Sequence, residues 1–200
     1  MTKAARPRTD PDEVREKILE VAEGQFRRIG YQKTTVADIA DELGMSAANV
    51  YRFFQSKSAI NQCICARLLD GAIELAWRHV RAEGDPAERL EALLVAMHRH
   101  NRETLIQERR MHDMVAAAVS EHWENVKTYK ERLNTIIEGL IREGVDAGVF
   151  AADDARIAAD CVLGCFGMLL HPVMIEQCID DDLDTKARHM ARFVVRALKA

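Results

Sequence analysis

Asn49, Tyr51 and Arg52 follow two small residues, Ala47 and Ala48, and a serine, Ser46, within a stretch of seven positions. A carboxamide can pair bidentately with adenine, and a guanidinium with guanine or a phosphate. A phenol suits a phosphate oxygen, while alanines allow close approach and contact with a thymine methyl group. Thr35 and Lys57 stand at two predicted helix starts, where main-chain N–H groups already favour an anion. Such a set does hydrogen-bonding chemistry on the edges and phosphates of a DNA duplex.

Those side chains need short, steeply packed helices to present them. Asp10-Pro11-Asp12-Glu13 reads as a helix start, with Asp10 as cap and Pro11 in the first turn. Val14, Ile18, Val21/Ala22 and Phe26 continue at helical spacing, and Gly30 closes the helix. Thr35 caps a short helix whose Val36, Ile39, Ala40 and Leu43 fall at i, i+3, i+4 and i+7 before Gly44. Ser46 caps a third helix, with Ala47, Val50, Tyr51 and Phe54 in the same pattern. The link "GMS" between the second and third helices makes a helix-turn-helix. Val50 and Phe54 are then the buried side, leaving Ala48, Asn49 and Arg52 outward. The same motif also serves as plain packing, in which case Arg52 and Lys57 are solvated charges and Tyr51 belongs to the core.

The whole chain supports a mostly helical reading. It has 200 residues, 48% hydrophobic and 30% charged, with four prolines and ten glycines. Net charge is −4, yet residues 1–57 hold ten Lys/Arg against nine Asp/Glu, and Lys3, Arg6 and Arg8 precede the first helix. Positive charge is thus relatively concentrated at the N-terminal end. Five cysteines, an odd number, and a polar, basic opening "MTKAARPRTD" predict reduced thiols and a cytoplasmic location. No apolar run reaches the length that spans a membrane; "CVLGCFGMLLHPVMI" is the longest and contains His171 and Pro172. Neither a phosphate-binding glycine loop nor a Ser/His/Asp cluster appears, so no catalytic residues are assigned and an enzyme is not expected.

"TTVADIADELGMSAANVYRFFQSK" (34–57) resembles the DNA-binding head of the TetR family of transcriptional regulators. The paired threonines, Ile-Ala, Leu-Gly, Ser, Val-Tyr, Phe and Ser-Lys carry the match. Ser58 stands where a glutamate is common, and Phe53 is unusually apolar for a position facing a groove. The resemblance implies an all-α fold of about nine helices: a helix-turn-helix head at 1–56 and a ligand-binding and dimerisation bundle at 57–200. It also implies a repressor released from a double-stranded DNA operator by a small-molecule effector, with no cofactor and no membrane partner.

For the body, the sequence predicts helices at 56–80, from 86, and at roughly 108–121, 123–147, 153–178 and 184–198. The resemblance implies a homodimer through 153–178 and 184–198, with Gly164, Gly167 and the ridge Ala187, Met190, Ala191, Val194 and Leu198 at or near the interface. It also implies a pocket among the middle helices. Candidate walls are Trp77, Met97, Met111, Met114, Val115, Tyr129, Leu133, Cys165, Phe166 and Met168, with His98 and His112 as polar groups. Each is also an ordinary core candidate. An alternative function keeps the head and makes the body a metal or redox sensor, Cys161 and Cys165 lying one turn apart. No HxxxH or CxxC pair supports that, and no metal ligands are assigned. A helical interaction module or an enzyme, without DNA affinity, is the third alternative.

Overall fold

The protein is described by a computed structural model covering residues 10–106 and 123–199. Among these residues there are nine helices and no strand. Helix α1 spans Pro11–Ile29, α2 Val36–Glu42, α3 Ala47–Tyr51 and α4 Lys57–Val80. The body continues with α5 (Pro86–Ile106), α6 (Trp123–Asp146), α7 (Ala155–Leu170), α8 (Pro172–Gln177) and α9 (Leu183–Leu198).

Each head helix is started by its own cap. The Asp10 carboxylate accepts from the Asp12 N–H at 3.0 Å, and Pro11 follows it. Thr35 and Asp38 form a reciprocal capping box. The Ser46 and Ser56 hydroxyls accept from the Asn49 and Ala59 N–H groups. Gly44 turns the chain at φ +65°, left-handed backbone in which a side chain would be strained. The Met45 N–H then closes back onto the Ala40 carbonyl at 2.9 Å. Five residues cannot hold a helix by propensity alone. Helix α3 is held by Val50, fully buried, and by Phe54 just beyond it, each contributing about 1.5–3 kcal/mol by burial.

Two hydrophobic cores result. Ile18, Leu19, Ala22, Phe26, Tyr31, Val36, Ile39, Ala40, Val50 and Phe54 fill the head, joined by Ile60, Ile64 and Cys65 of α4. The body core begins further along the same helix at Ala72, Ile73 and Ala76 and gathers α5, α6, α7 and α9. The cores therefore meet inside α4, between Cys65 and Ala72. A division at 56/57 falls on the first turn of a helix that serves both.

The body helices are cross-tied by ion pairs. Arg89 of α5 binds Glu143 of α6 at 2.5 Å, Arg99 of α5 binds Asp184 of α9 at 2.6 Å, and Arg132 of α6 binds Asp70 of α4. Gly144 lets the Phe150 ring lie on α6; a Cβ there would stand 2.1 Å from the ring. One expectation is corrected. Residues 153–178 are two helices, not one, because Pro172 holds the preceding His171 extended at ψ 125°. The expected helix at 108–121 lies outside the described residues. No helix among those described is long and apolar enough to cross a membrane.

Candidate nucleic-acid interface and body cavity

The face of α3 follows from its caps. With Val50 inward, Ala48, Tyr51 and Arg52 are exposed and Asn49 is half-buried. Tyr51 is 51% exposed, which places it outside the head core. The Asn49 side-chain amide reaches Met45 Sδ at 3.7 Å, a weak bond that a better acceptor displaces. Ser46 is exposed and half-buried Ala47 packs against the head core. Phe53, the apolar oddity of the segment, also leans onto that core.

Thr35 is spent largely on its own helix. Its hydroxyl donates to Asp38 Oδ2 at 2.7 Å and accepts from the Asp38 N–H at 3.2 Å, and its N–H donates to the same carboxylate at 2.8 Å. The hydroxyl, and then the N–H, hold the Asp38 carboxyl below the usual carboxylate range.

Lys57, at the start of α4, is also bonded within the head. Its ammonium donates to the carbonyls of Tyr31 at 2.8 Å, Thr34 at 2.9 Å and Gln32 at 3.4 Å, and sits 4.4 Å from the Tyr31 ring centroid. Those contacts hold the ammonium against the segment between α1 and α2.

Two residues of α1 that the sequence does not single out brace the second and third helices. Arg15 donates to the Phe53 carbonyl at 3.0 Å and to Cys63 Sγ at 3.4 Å, and stacks 4.2 Å from the Phe54 ring centroid. It thereby ties α1 to the chain just beyond α3 and to α4. Gln25, buried, donates to the Asp38 carbonyl at 3.0 Å and to Glu42 at 2.8 Å, tying α1 to α2. Its position on the stripe of Ile18, Ala22 and Phe26 was the available signal.

The body holds a cavity of about 900 Å³ that is partly open to the outside. Helix α4 lines it with Cys65, Leu68, Leu69 and Ala72, and α5 with His100, Asn101 and Thr104. Tyr129 and Leu133 of α6, both expected walls, line it too, as do Leu163, Gly164, Gly167 and Leu170 of α7. Its polar side carries Lys130, Glu131, Asn134, Glu138, Arg156 and Asp160, with Asn134 donating to Asp160 at 2.5 Å. Burial raises the Tyr129 phenol to about 12, so it stays a protonated donor.

The other described pocket candidates stand elsewhere. Met97 and Phe166 are fully packed in the body core. His98 is buried, its Nδ1 donating to the Leu169 carbonyl at 2.8 Å while Nε2 has no hydrogen-bond partner among the described residues. Burial lowers its pKa, with Arg102 and Arg99 adding to that and the Leu169 bond opposing it. Trp77 is exposed against Arg81, 4.8 Å from ring centroid to guanidinium. Cys165 and Met168 face outward on α7. Helix α7 is apolar nearly all round, and its three sides go to core, cavity and exterior, which apolarity alone does not distinguish. Met111, Met114, His112 and Val115 lie outside the described residues, as do Lys3, Arg6 and Arg8.

All five cysteines are free. Among the described residues no group of three or more His, Cys, Asp or Glu converges on a possible metal site.

Residues 18–62 match the family described as bacterial regulatory proteins, tetR family, and residues 86–191 match the tetracyclin repressor-like C-terminal domain. The chain is 30% identical over 158 residues to the HTH-type transcriptional repressor KstR2 of Rhodococcus jostii, covering 72% of each chain. It is 26% identical over 152 residues to KstR2 of Mycolicibacterium smegmatis, covering 72% of this chain and 71% of that one. The fold is shared with a transcriptional regulator of the TetR/AcrR family from Thermobifida fusca, at a TM-score of 0.69 and 24% identity. That likeness covers 94% of this chain and 100% of that one.

Proposed function

Because the chain belongs to the TetR family of bacterial regulatory proteins, we propose that it is a transcriptional repressor. It binds operator DNA as a homodimer and releases it when an apolar effector fills the body cavity. The observation that carries this reading is the outward face of α3, where Tyr51 and Arg52 are exposed beside Ala48 while Val50 and Phe54 anchor the helix from behind. In the groove, Asn49 and Arg52 choose bases, and Tyr51 with main-chain groups fixes the register on phosphates.

The dimer is assigned to the outer sides of α7 and α9. Ile157, Cys161, Cys165 and Met168 are exposed at helical spacing on α7, and Phe193 of α9 is 65% exposed. These helices supply the apolar area that a second copy covers, and the two α3 helices then enter successive major grooves about 34–36 Å apart. Phe193→Asp is expected to give a monomer by light scattering, with the helical content kept; a dimer of unchanged stability places the interface elsewhere.

The effector is assigned by the cavity's chemistry. About 900 Å³ with leucines along α4, α6 and α7 suits an apolar body, and the Tyr129 hydroxyl suits an acceptor atom on it. The deciding experiment is binding of the whole protein to duplex DNA from upstream of its own gene across a salt series. A steep fall of affinity with salt and protection of two half-sites are expected. Affinity that is absent at low salt removes the reading.

A further inference from the structure

The turn that joins α2 to α3 carries an oxidisable side chain. Met45 follows Gly44 and precedes Ser46, the cap of α3. Its N–H is fixed on the Ala40 carbonyl at 2.9 Å, and its side chain is half-buried at the edge of the head core. Its Sδ stands 3.7 Å from the Asn49 side-chain nitrogen and is, among the described residues, the one partner of that amide. We infer that Met45 is a modification site: a hydroperoxide converts its thioether to the sulfoxide, whose oxygen then holds Asn49 away from base edges. The inference rests on the DNA-binding reading above for the role of Asn49, and on the turn's own geometry for the capture.

A thioether is a weak acceptor, so the reduced protein surrenders Asn49 readily to an adenine. Oxidation puts a polar oxygen on the same sulfur and turns an apolar side chain into a strong acceptor. From there it can close an ordinary N–H···O bond to the amide. The backbones of both residues are already held, Met45 on Ala40 and Asn49 on Ser46 at 2.9 Å, so the pair at i and i+4 meets without rearrangement. An amide held in this way cannot also pair bidentately with a base. Val50 and Phe54 stay buried, so the loss falls on base choice rather than on the fold.

The step balances without any other group of the protein. A sulfur lone pair takes the terminal oxygen of the peroxide as the O–O bond breaks and the S=O bond forms. The proton of that oxygen passes to the remaining one, which leaves as an alcohol, or as water from hydrogen peroxide. Sulfur is oxidised by two electrons and the peroxide is reduced by two. Position, rather than reactivity, sets Met45 apart. Met168 and Met174 of the body are more exposed, at 41% and 36%, and Met97 is packed in the body core.

The test treats the whole protein with hydrogen peroxide until peptide mass spectrometry shows one added oxygen at Met45. Affinity for duplex from upstream of its own gene should fall about tenfold, and methionine sulfoxide reductases acting on both epimers should restore it. In Met45→Leu, a swap that nearly conserves volume, the same treatment should leave affinity within about twofold of that variant's untreated value. Equal losses in the two proteins overturn the inference, as does full affinity in wild type that carries the Met45 sulfoxide. Circular dichroism confirms that each protein stays folded.

Proton–nitrogen NMR of the Asn49 side chain, identified by its absence in Asn49→Ala, reads the capture without DNA. Its amide signal should move downfield and exchange more slowly once Met45 is oxidised; an unmoved signal overturns the inference. If the untreated protein shows no salt-dependent DNA binding, the repressor reading fails, while that signal still decides whether the sulfoxide captures Asn49.

Discussion

Head and body solve opposite problems with the same kind of helix. In the head, polar side chains are turned inward and tied to distant partners: Lys57 on three carbonyls, Arg15 on the Phe53 carbonyl just beyond α3, Gln25 bridging to α2 through its amide N–H groups. Its reading face is then whatever remains outside a tightly determined core. The body leaves about 900 Å³ unfilled and lines it with a phenol, amides and two histidines beside leucines. A surface that must fit one duplex geometry is made by completing the interior, and a surface that must admit a guest is made by leaving it incomplete.

The contrast can be broken most sharply at the head core. Phe26 is fully buried against Tyr31, so Phe26→Ala is expected to cost about 3–5 kcal/mol by denaturant titration. DNA binding should vanish while the helices packed around Phe166 persist to the wild-type midpoint. A single transition in which both regions fail together would show that α4 makes one cooperative unit of the two cores.

Next in size is Asn49→Ala. Selection from a random duplex library should shift the preferred base at one position in each half-site, with about 1–3 kcal/mol lost on the original operator and no change in thermal midpoint. Loss spread evenly over all sequences would move Asn49 from base reading to the phosphate backbone.

In the body, Leu69→Trp projects bulk into the cavity from a half-buried position. Titration with an apolar fluorescent reporter such as anilinonaphthalene sulfonate should weaken about tenfold, with stability held within about 1.5 kcal/mol. Unchanged reporter binding would place the guest site outside this cavity.

The smallest effect is a slope with pH. His98 is buried neutral and its pKa is lowered from the ordinary 6.5, as are those of His79 and His100. The unfolded chain therefore binds more protons than the folded one once pH falls through 6.5, and stability declines from there toward the lowered folded values. Urea midpoints should be flat from pH 8 to 7 and fall toward pH 5. His98→Leu should flatten part of that fall while losing the bond to Leu169.

The two regions also differed in how far sequence could read them. Each head helix carries its own cap, its own stripe and a glycine at its end, so the outward side of α3 follows once Val50 and Phe54 are taken inward. What escaped there are partners distant in sequence: nothing local marks Tyr31, Gln32 and Thr34 as acceptors for Lys57. In the body, period identifies helices but not neighbours. His98 is an expected polar group of the pocket, yet it is buried beside core residues such as Leu94 and Met97, while His100 and Asn101 line the cavity. Helix α7 shows the limit most plainly, since Phe166, Gly167 and Met168 go to core, cavity and exterior in three successive residues.

Helix α4 runs unbroken from one core into the other, with no hinge between. A reading head carried on such a strut has little freedom to swing toward a misplaced half-site. In the proposed dimer the frame that holds the two heads would set a fixed distance along the duplex, so that spacing is selected as well as sequence.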